Sequence, residues 1–229
     1  MPSLAEIEAA LRDSGLLPRG AFHPRAEDRV PPRADGRATA TLVLAGQVGA
    51  SHWAAFARER RDEPDPLDRW AERALGDVAA RVDADVLLPS GAARHPFQRW
   101  AQRAEPVHRS PLGLLIHPDH GLWHAYRGAL ALSARIELPP PDPRPSPCAR
   151  CVERPCLRAC PVGAFREDGF DDRACARHLA TGARACFDVA CLARAACPVG
   201  RSHRYPPEPA RFHLDAFHRA TTGRSRRSS

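Results

Sequence analysis

Apolar residues recur at helical spacing in several segments of the first half of the chain. Ser3 is followed three residues later by Glu6, a capping box that predicts an amphipathic helix from this point to Gly15. Further helices are predicted over residues 51–61, 67–82 and 96–104, where apolar side chains return every three or four positions.

Short apolar runs between these helices predict strands. The runs cover residues 38–45, 84–88 and 112–116, and a longer extended segment at 121–136 is predicted to break at Gly128. Residues 20–37 are polar and contain prolines, so a loop is predicted there. Because helices and strands alternate, the first part of the chain is predicted to form an α/β layer.

A proline-rich segment marks a change along the chain. Residues 138–147 (LPPPDPRPSP) contain six prolines, which excludes a helix or an inner strand and predicts a stiff spacer. The predicted parts are residues 1–138 as an α/β domain that binds a cofactor or a partner, 139–147 as a linker, 148–205 as a cysteine-rich domain, and 206–229 as a partly flexible C-terminal arm.

The composition is that of an ordinary globular protein. Of the 229 residues, 43% are hydrophobic and 27% are charged. Apolar runs such as residues 38–46 are far shorter than the roughly 20 residues that span a bilayer. Glu6 and Glu8 lie where a signal peptide would need an apolar block, so we expect a cytoplasmic protein without a membrane partner.

All eight cysteines lie between positions 148 and 197. A secreted disulfide scaffold more often spreads its cysteines along the whole chain, so this clustering indicates metal ligation in a reducing compartment. The cysteines form two groups of four, and both groups end in the letters CPVG. Close cysteines followed by one before a proline are the arrangement by which two-cluster ferredoxins hold [4Fe-4S] clusters.

In such ferredoxins the last cysteine of a group ligates the other cluster. The crossed pattern predicts a first set of ligands, Cys148, Cys151, Cys156 and Cys197, and a second set, Cys160, Cys175, Cys186 and Cys191. The predicted fold class is therefore α+β, with an N-terminal α/β layer followed by a small ferredoxin-like double-cluster domain. The four residues between Cys151 and Cys156, where two are usual, depart from the ferredoxin spacing.

Structural zinc is the competing interpretation, since four cysteines also suffice for a zinc site. Zinc ribbons usually show two C-x2-C pairs, and this chain has one, Cys148 and Cys151. We therefore favour iron–sulfur clusters over zinc, and both over disulfides.

The basic charge of the chain is a weak sign of nucleic-acid binding. The formal net charge is +7, and the sequence contains arginine but no lysine. Several of the arginines lie in the last residues, as in a frayed tail. Two oxidised clusters with their thiolates would carry about −2 each, which lowers the charge to +7 − 4, about +3. Nucleic acid is therefore not expected as a partner.

The segment before the spacer adds a more specific signal. Residues 114–130 (LLIHPDHGLWHAYRGAL) precede the first cysteine group, and residues 170–179 (FDDRACARHL) open the second. This order resembles the epoxyqueuosine reductase family and its relatives among cobalamin-dependent reductases, over roughly residues 96–200. The resemblance implies a first domain that looks like a fragment of the nitroreductase layer and binds cobalamin. It also implies that the clusters deliver electrons to the corrin cobalt.

The resemblance further implies a catalytic aspartate ahead of a helix. The nearest matches are Asp65 and Asp68, although a loop carboxylate and an early helix-turn carboxylate are the ordinary interpretations of these two positions. Trp100, Trp123 and Tyr126 are candidates to stack on a flat cofactor, with packing in the core as the alternative.

Two functions remain open from the sequence. One is a redox enzyme in which the clusters feed a cobalamin-like cofactor to reduce a small molecule or a modified nucleoside. The other is a ferredoxin-type electron carrier, or a cofactor-handling protein, without catalysis of its own. Both predict a redox partner protein as electron donor or acceptor.

Overall fold

A computed structural model of the chain describes residues 2–90, 93–166 and 169–227. Its contacts define two units, Met1–Val107 with His124–Arg144 and His108–Trp123 with Pro145–Ser229. One boundary between the units falls between Arg144 and Pro145, inside the proline-rich segment 138–147, and the predicted domain bounds stay a prediction. The segment His108–Trp123 was not predicted to belong with the cysteines, and it joins the second unit.

The helices and strands follow one another along the chain in this order. The elements up to the last long strand are α1 (Leu4–Asp13), β1 (Leu17–Phe22), β2 (Thr41–Val48), α2 (Trp53–Glu59), α3 (Pro66–Val82), β3 (Ala84–Leu87), α4 (Phe97–Ala104), β4 (His108–Arg109), β5 (Leu115–Ile116) and β6 (His124–Leu132). The elements after it are α5 (Pro155–Arg158), β7 (Phe165–Arg166), β8 (Gly169–Phe170), α6 (Asp172–Ala180), α7 (Arg184–Asp188), α8 (Leu192–Ala195) and α9 (Pro207–Arg227).

The first unit is built on a four-stranded antiparallel sheet with the strand order β1-β2-β6-β3. Strand β2 is buried along nearly its whole length, as its continuous apolar sequence predicts for a central strand. Its partner β6 pairs with it from Thr41↔Leu132 to Val48↔His124. The predicted mixed α/β character is confirmed, whereas the likeness of this layer to nitroreductases stays a prediction.

Gly128 does not break strand β6, contrary to the sequence-based expectation. A Cβ atom built on Gly128 would lie 2.4 Å from Leu75 Cδ1, so the glycine makes room for a side chain of helix α3. Leu75 is fully buried and belongs to the apolar face that α3 turns towards the sheet. Gly128 is therefore a packing requirement within one strand, at the point where the register between β2 and β6 shifts.

Strand β1 lies partly in the segment that was predicted to be a loop. Its Arg19 is 1% exposed and forms a two-pronged ion pair with Glu105, through Nε at 2.9 Å and Nη2 at 2.7 Å. Arg19 also donates to the carbonyl oxygen of Gln47 on β2. Because a buried arginine interrupts the apolar pattern, periodicity alone does not reveal this strand.

Helix α1 confirms the capping box, since Ser3 accepts from the Glu6 backbone and Glu6 accepts from the Ser3 backbone N–H at 2.7 Å. Helix α4 packs Phe97 and Trp100 into a core cluster with residues of β1, β2 and β6. Helix α4 and the sheet therefore share an apolar core in the first unit.

The second unit combines short helices with two small hairpins, β4-β5 and β7-β8. The segment His108–Trp123 is held there by close backbone packing. A Cβ atom on Gly121 would lie 2.1 Å from the Val199 carbonyl oxygen, and one on Gly200 would lie 2.3 Å from His120. Only glycine permits this approach, which explains why the segment belongs to the cysteine unit.

The C-terminal residues form a long helix, α9, where a partly flexible arm was predicted. Its Leu214 and Phe217 pack against Leu179 and Cys186 in an apolar cluster. Within the described residues, no helix combines the length and the apolar character needed to cross a membrane.

Candidate metal centre

The eight cysteines are carried by short helices and by the turns that connect them. Cys148 lies in a 3-10 helix that Ser146 caps, and Cys156 lies in α5, which begins with a proline. Cys175 is carried by α6, whose first turn is capped by Asp171 through the Ala174 N–H at 2.8 Å. Short capped turns hold thiols at fixed positions with little chain, as convergent ligands require.

Two cavities in the second unit are each lined by four of these thiols. A small cavity of about 20 Å³ is lined by the first set, Cys148, Cys151, Cys156 and Cys197. A larger cavity of about 250 Å³ is lined by the second set, Cys160, Cys175, Cys186 and Cys191. The structure thus groups the thiols as the crossed pattern does, while their ligation of clusters stays a prediction.

The surroundings of both cavities are largely apolar. Leu112, Ile116 and Leu122 pack with cysteines of the first set, and Leu179, Leu214 and Phe217 pack with cysteines of the second. None of the eight cysteines forms a disulfide in this structure. Cysteines outside disulfides are available as soft ligands, and the apolar surroundings exclude water from them.

Burial raises the pKa of most of these thiols. It raises the pKa of Cys175 from 9.0 to about 12, with further contributions from Cys191 and Cys160. The pKa of Cys148 is also raised, by burial first and then by Cys197 and its other neighbours in the first set. Each thiol whose pKa is raised is also affected by members of its own set, and these thiols are neutral at physiological pH in the metal-free protein.

Backbone N–H groups point at several of the sulfur atoms. The Ala164 N–H donates to Cys160 Sγ at 3.3 Å. Burial raises the pKa of Cys186 and Cys197, and N–H groups of Leu192 and Val199 respectively oppose that effect. Such donors stabilise a thiolate, and in iron–sulfur proteins they tune the reduction potential.

Arg194 is a functional candidate that the sequence did not distinguish from the many other arginines. Its guanidinium carbon lies 4.3 Å from the Trp123 ring centroid and 4.8 Å from that of Tyr205. The same group donates to the Leu122 carbonyl oxygen at 3.0 and 2.6 Å. Its positive charge opposes the effect of burial on the pKa of Cys191. Arg194 therefore places a fixed cation beside the second set.

The backbone is strained immediately before α8. Ala190 has φ 54° and Cys191 has φ 102°, in the left-handed region that non-glycine residues rarely adopt. The Cys191 N–H donates to the Cys186 carbonyl oxygen at 2.9 Å, which ties two cysteines of the second set together. Strain of this kind persists where the surrounding structure enforces it, often at functional sites.

The donor set fits iron–sulfur clusters. Four thiols line each cavity, and thiolate is the ligand type that [4Fe-4S] clusters take. Among the residues that the structure describes, no three His, Cys, Asp or Glu side chains form a group that could hold a single metal ion. In a [4Fe-4S] cluster each thiolate binds a different iron, so four thiols spread around a cavity are compatible with a cluster.

The two candidate catalytic aspartates are both exposed. Asp65 precedes α3 with φ 50°, and its carbonyl oxygen accepts from the Arg69 N–H at 3.0 Å. Asp68 lies in the first turn of α3 and accepts from Arg127 Nη1 at 3.1 Å. These are the ordinary helix-start positions of the alternative interpretation, and a catalytic role for either residue stays a prediction.

The three aromatic residues proposed to stack on a cofactor are engaged within their own units. Trp100 and Trp123 have no exposed surface, and Trp100 donates to the Asp28 carbonyl oxygen at 2.8 Å. Tyr126 donates to Glu105 at 2.8 Å, and the Arg19 guanidinium lies 4.9 Å from its ring centroid. In this arrangement Trp100 and Trp123 pack within the protein, as the alternative interpretation expects, and stacking of any of the three rings on a cofactor stays a prediction.

The comparisons with known proteins identify the fold. No family model matches the chain, and no curated protein matches it. Three solved epoxyqueuosine reductases are structurally similar. The enzyme from Streptococcus thermophilus has a TM-score of 0.52 and 16% identity, over 90% of this chain and 69% of that one.

The other two have comparable values. An epoxyqueuosine reductase solved with a tRNA-Tyr stem loop has a TM-score of 0.51 and 14% identity, over 90% of this chain and 68% of that one. The Bacillus subtilis enzyme has a TM-score of 0.50 and 13% identity, over 86% and 66%. Because one of these neighbours is bound to RNA, the expectation against a nucleic-acid partner is not borne out. The chain shares the fold of epoxyqueuosine reductases.

Proposed function

We propose that this chain holds two [4Fe-4S] clusters and transfers electrons as part of a reductase related to epoxyqueuosine reductase. The observation that carries the proposal is the pair of cavities, each lined by four thiols drawn from both cysteine groups of the sequence. This crossed grouping is the one that two-cluster ferredoxins use.

Each cluster, when bound, supplies a one-electron carrier. The first set would hold one cluster and the second set the other. Because burial raises the pKa of most of the thiols, their deprotonation accompanies cluster assembly and releases protons. The N–H of Ala164 and the cation of Arg194 then stabilise charge on the sulfur atoms of the second set.

A reductase is favoured over a stand-alone carrier because the fold likeness is not confined to the cysteine unit. The likeness to two epoxyqueuosine reductases extends over 90% of the chain and so includes much of the α/β layer. A stand-alone electron carrier needs a surface on which its partner docks, but it does not need an additional α/β domain of the size of the first unit. We therefore propose that the first unit contributes to the binding of an electron acceptor, with a modified nucleoside in RNA as the favoured substrate class.

Anaerobic purification and cluster reconstitution test the proposal. About eight iron atoms per chain are expected, with the EPR spectrum of reduced [4Fe-4S] clusters. Zinc in place of iron, or a chain without bound metal, would overturn it. Four irons per chain would show that only one set ligates.

A titration with cobalamin separates the two functions that the sequence left open. Tight binding with a changed cobalt EPR signal identifies a corrin-dependent reductase. A full complement of iron without cobalamin binding identifies the ferredoxin-type carrier instead. Reduction of an epoxyqueuosine-containing stem loop by the reconstituted protein, compared with the free nucleoside, tests the proposed substrate class.

A further inference from the structure

A tight turn in the second unit lies beside the first set of thiols. Residues 117–121 (HPDHG) form this turn, and two backbone hydrogen bonds between its first and last residues, both 2.9 Å long, close it at the base. Ile116 before the turn lines the cavity of the first set. Gly121 at its end lies against the backbone of Val199, which lines the same cavity two residues after Cys197. The 117–121 turn therefore supports two parts of the wall around the first set.

The side chain of His117 caps the 117–121 turn from inside. Its Nδ1 atom accepts from the backbone N–H of Asp119 at 3.0 Å and from that of His120 at 3.3 Å. His117 is 5% exposed, so water does not replace these hydrogen bonds easily. A ring nitrogen that accepts from N–H groups carries no proton, and the proton of the neutral ring is then on Nε2. The two hydrogen bonds therefore exist only while His117 is neutral.

Charged and titratable groups lie close to the His117 ring. The His120 ring stacks on it with the centroids 4.2 Å apart, and the His203 ring lies 5.1 Å from that of His120. The short helix that carries His203 also carries Arg201. The Asp119 carboxylate lies 3.9 Å from His117 Nδ1 and favours the cation, but it is 54% exposed and water screens its charge. A proton on His117 would thus face neighbouring rings that titrate in the same pH range.

We propose that His117 is a positioning residue for the first cluster: its neutral ring holds the 117–121 turn against Val199, and acid opens the turn and labilises the first cluster before the second. This inference rests on the proposed function. The proton comes from the solvent and binds to Nδ1, where it replaces the two backbone donors. No electron is transferred in this step.

The direction of the pH effect follows from the two states of the turn. A histidine in an open turn has the ordinary pKa of about 6.5, whereas the closed turn has no place for a proton on Nδ1. Only the open turn gains the proton, so the closed turn is stable above pH 6.5 and is lost as the pH falls. The open population should rise about tenfold between pH 7.5 and pH 5.5.

The second set provides an internal comparison. Its cavity is lined by residues before the 117–121 turn and by residues after position 159, and none of residues 117–121 is among those that the structure describes as lining it. Opening of the turn should therefore leave the second cluster in place. A general acid sensitivity of iron–sulfur clusters would act on both sets alike.

Anaerobic release of iron from the reconstituted protein tests the inference. The probe is the iron chelator bathophenanthroline disulfonate at pH 7.5 and pH 5.5, and the EPR spectrum after reduction by dithionite identifies the cluster that remains. In the wild type, the first cluster should be released about tenfold faster at pH 5.5. His117→Asn should remove this pH dependence, because asparagine Oδ1 can accept the same N–H groups and binds no proton. His117→Leu has no acceptor and should release the first cluster rapidly at both pH values.

The matched control is His120→Asn, which removes the stacked ring but leaves the acceptor on His117. Its first cluster should keep the pH dependence of the wild type. A pH dependence that is lost in His120→Asn and kept in His117→Asn would overturn the inference, and so would equal acid sensitivity of the two clusters in the wild type.

Urea denaturation of the metal-free protein at the same two pH values gives a measurement without iron. The wild type should lose stability at pH 5.5 relative to His117→Asn, and identical changes in both proteins would contradict the role of His117. A wild type that binds no iron at pH 7.5 would refute the proposed function. A full complement of iron with the same pH response in the wild type and in His117→Asn would refute this inference alone.

Discussion

Cys197, the last cysteine of the chain, lines the same cavity as Cys148, the first. Cys160 belongs to the first group in the sequence but lines the cavity of the second set. Each cavity therefore needs thiols from both groups, and neither group of four can build a complete site alone. The assembly of either predicted cluster therefore depends on both cysteine groups.

Alanine substitutions in pairs test this crossed arrangement. Cys197→Ala and Cys148→Ala should each damage the same cluster and produce matching EPR spectra. Cys160→Ala and Cys175→Ala should share a second, different spectrum. A Cys197→Ala spectrum that matches Cys175→Ala would contradict the crossed ligation.

The stability of the metal-free protein should fall at alkaline pH. The pKa of Cys175 is raised from 9.0 to about 12, so the unfolded chain loses this proton at lower pH than the folded chain does. A raised pKa in the folded state gives stability that is complete below pH 9 and is lost as the pH rises towards 12. Burial acts in the same direction on Cys186 and Cys191.

Urea denaturation of the metal-free protein between pH 7 and pH 10 measures this effect. Cys175→Ala should flatten the alkaline part of the profile, since alanine has no proton to lose. A profile that is unchanged by Cys175→Ala would show that this thiol is not buried as the structure has it.

Residues with local signals were predictable from the sequence. The capping box of Ser3 and Glu6 predicted α1, and the spacing of the cysteines predicted the grouping that the two cavities show. These signals depend on neighbours in the sequence or on a repeated motif. Helix α1 and the grouping of the cysteines could therefore be predicted from the sequence alone.

Features that depend on distant contacts were not predictable. Strand β1 contains Arg19, whose buried charge is stabilised by its ion pair with Glu105. The segment His108–Trp123 joins the cysteine unit through the close approach of Gly121 to Val199. Arg194 differs from other arginines only by its position between Trp123 and Tyr205. None of these contacts produces a periodic pattern of apolar residues in the sequence.

The Arg19–Glu105 pair should be essential for the stability of the first unit. Glu105→Gln removes the countercharge of an arginine that is 1% exposed, and leaving such a charge uncompensated costs about 3–5 kcal/mol. Urea denaturation followed by circular dichroism measures the loss. Glu8→Gln is the control, because Glu8 pairs with Arg12 at the surface and should cost less than about 1 kcal/mol. Equal costs would contradict the buried pair.

Arg194 should tune the second cluster by its charge. Arg194→Gln removes a cation whose charge opposes the effect of burial on Cys191, so the reduction potential of that cluster should fall. Arg194→Lys keeps the charge and should restore most of the potential, although it loses the paired hydrogen bonds to Leu122. Potentiometric EPR titration checks both variants. An equally low reduction potential in Arg194→Gln and Arg194→Lys would show that the packing of Arg194 matters and its charge does not, which would leave it a structural role only.

Gly121 should be required for assembly of the first cluster. A methyl group at this position would meet the Val199 carbonyl oxygen at 2.1 Å, so Gly121→Ala must move the segment that carries Leu122 and packs beside the first set. Gly113→Ala is the matched control: it has a similar positive φ of 75°, but nothing lies within 4 Å of the added atom.

Both substitutions strain the backbone, and only Gly121→Ala also causes a collision. We therefore expect Gly121→Ala to lose about half of the bound iron, while Gly113→Ala keeps nearly all of it. Iron and sulfide analysis of the two reconstituted proteins, side by side, measures the difference. Equal iron content would mean that the segment His108–Trp123 is not needed to hold the first set in place.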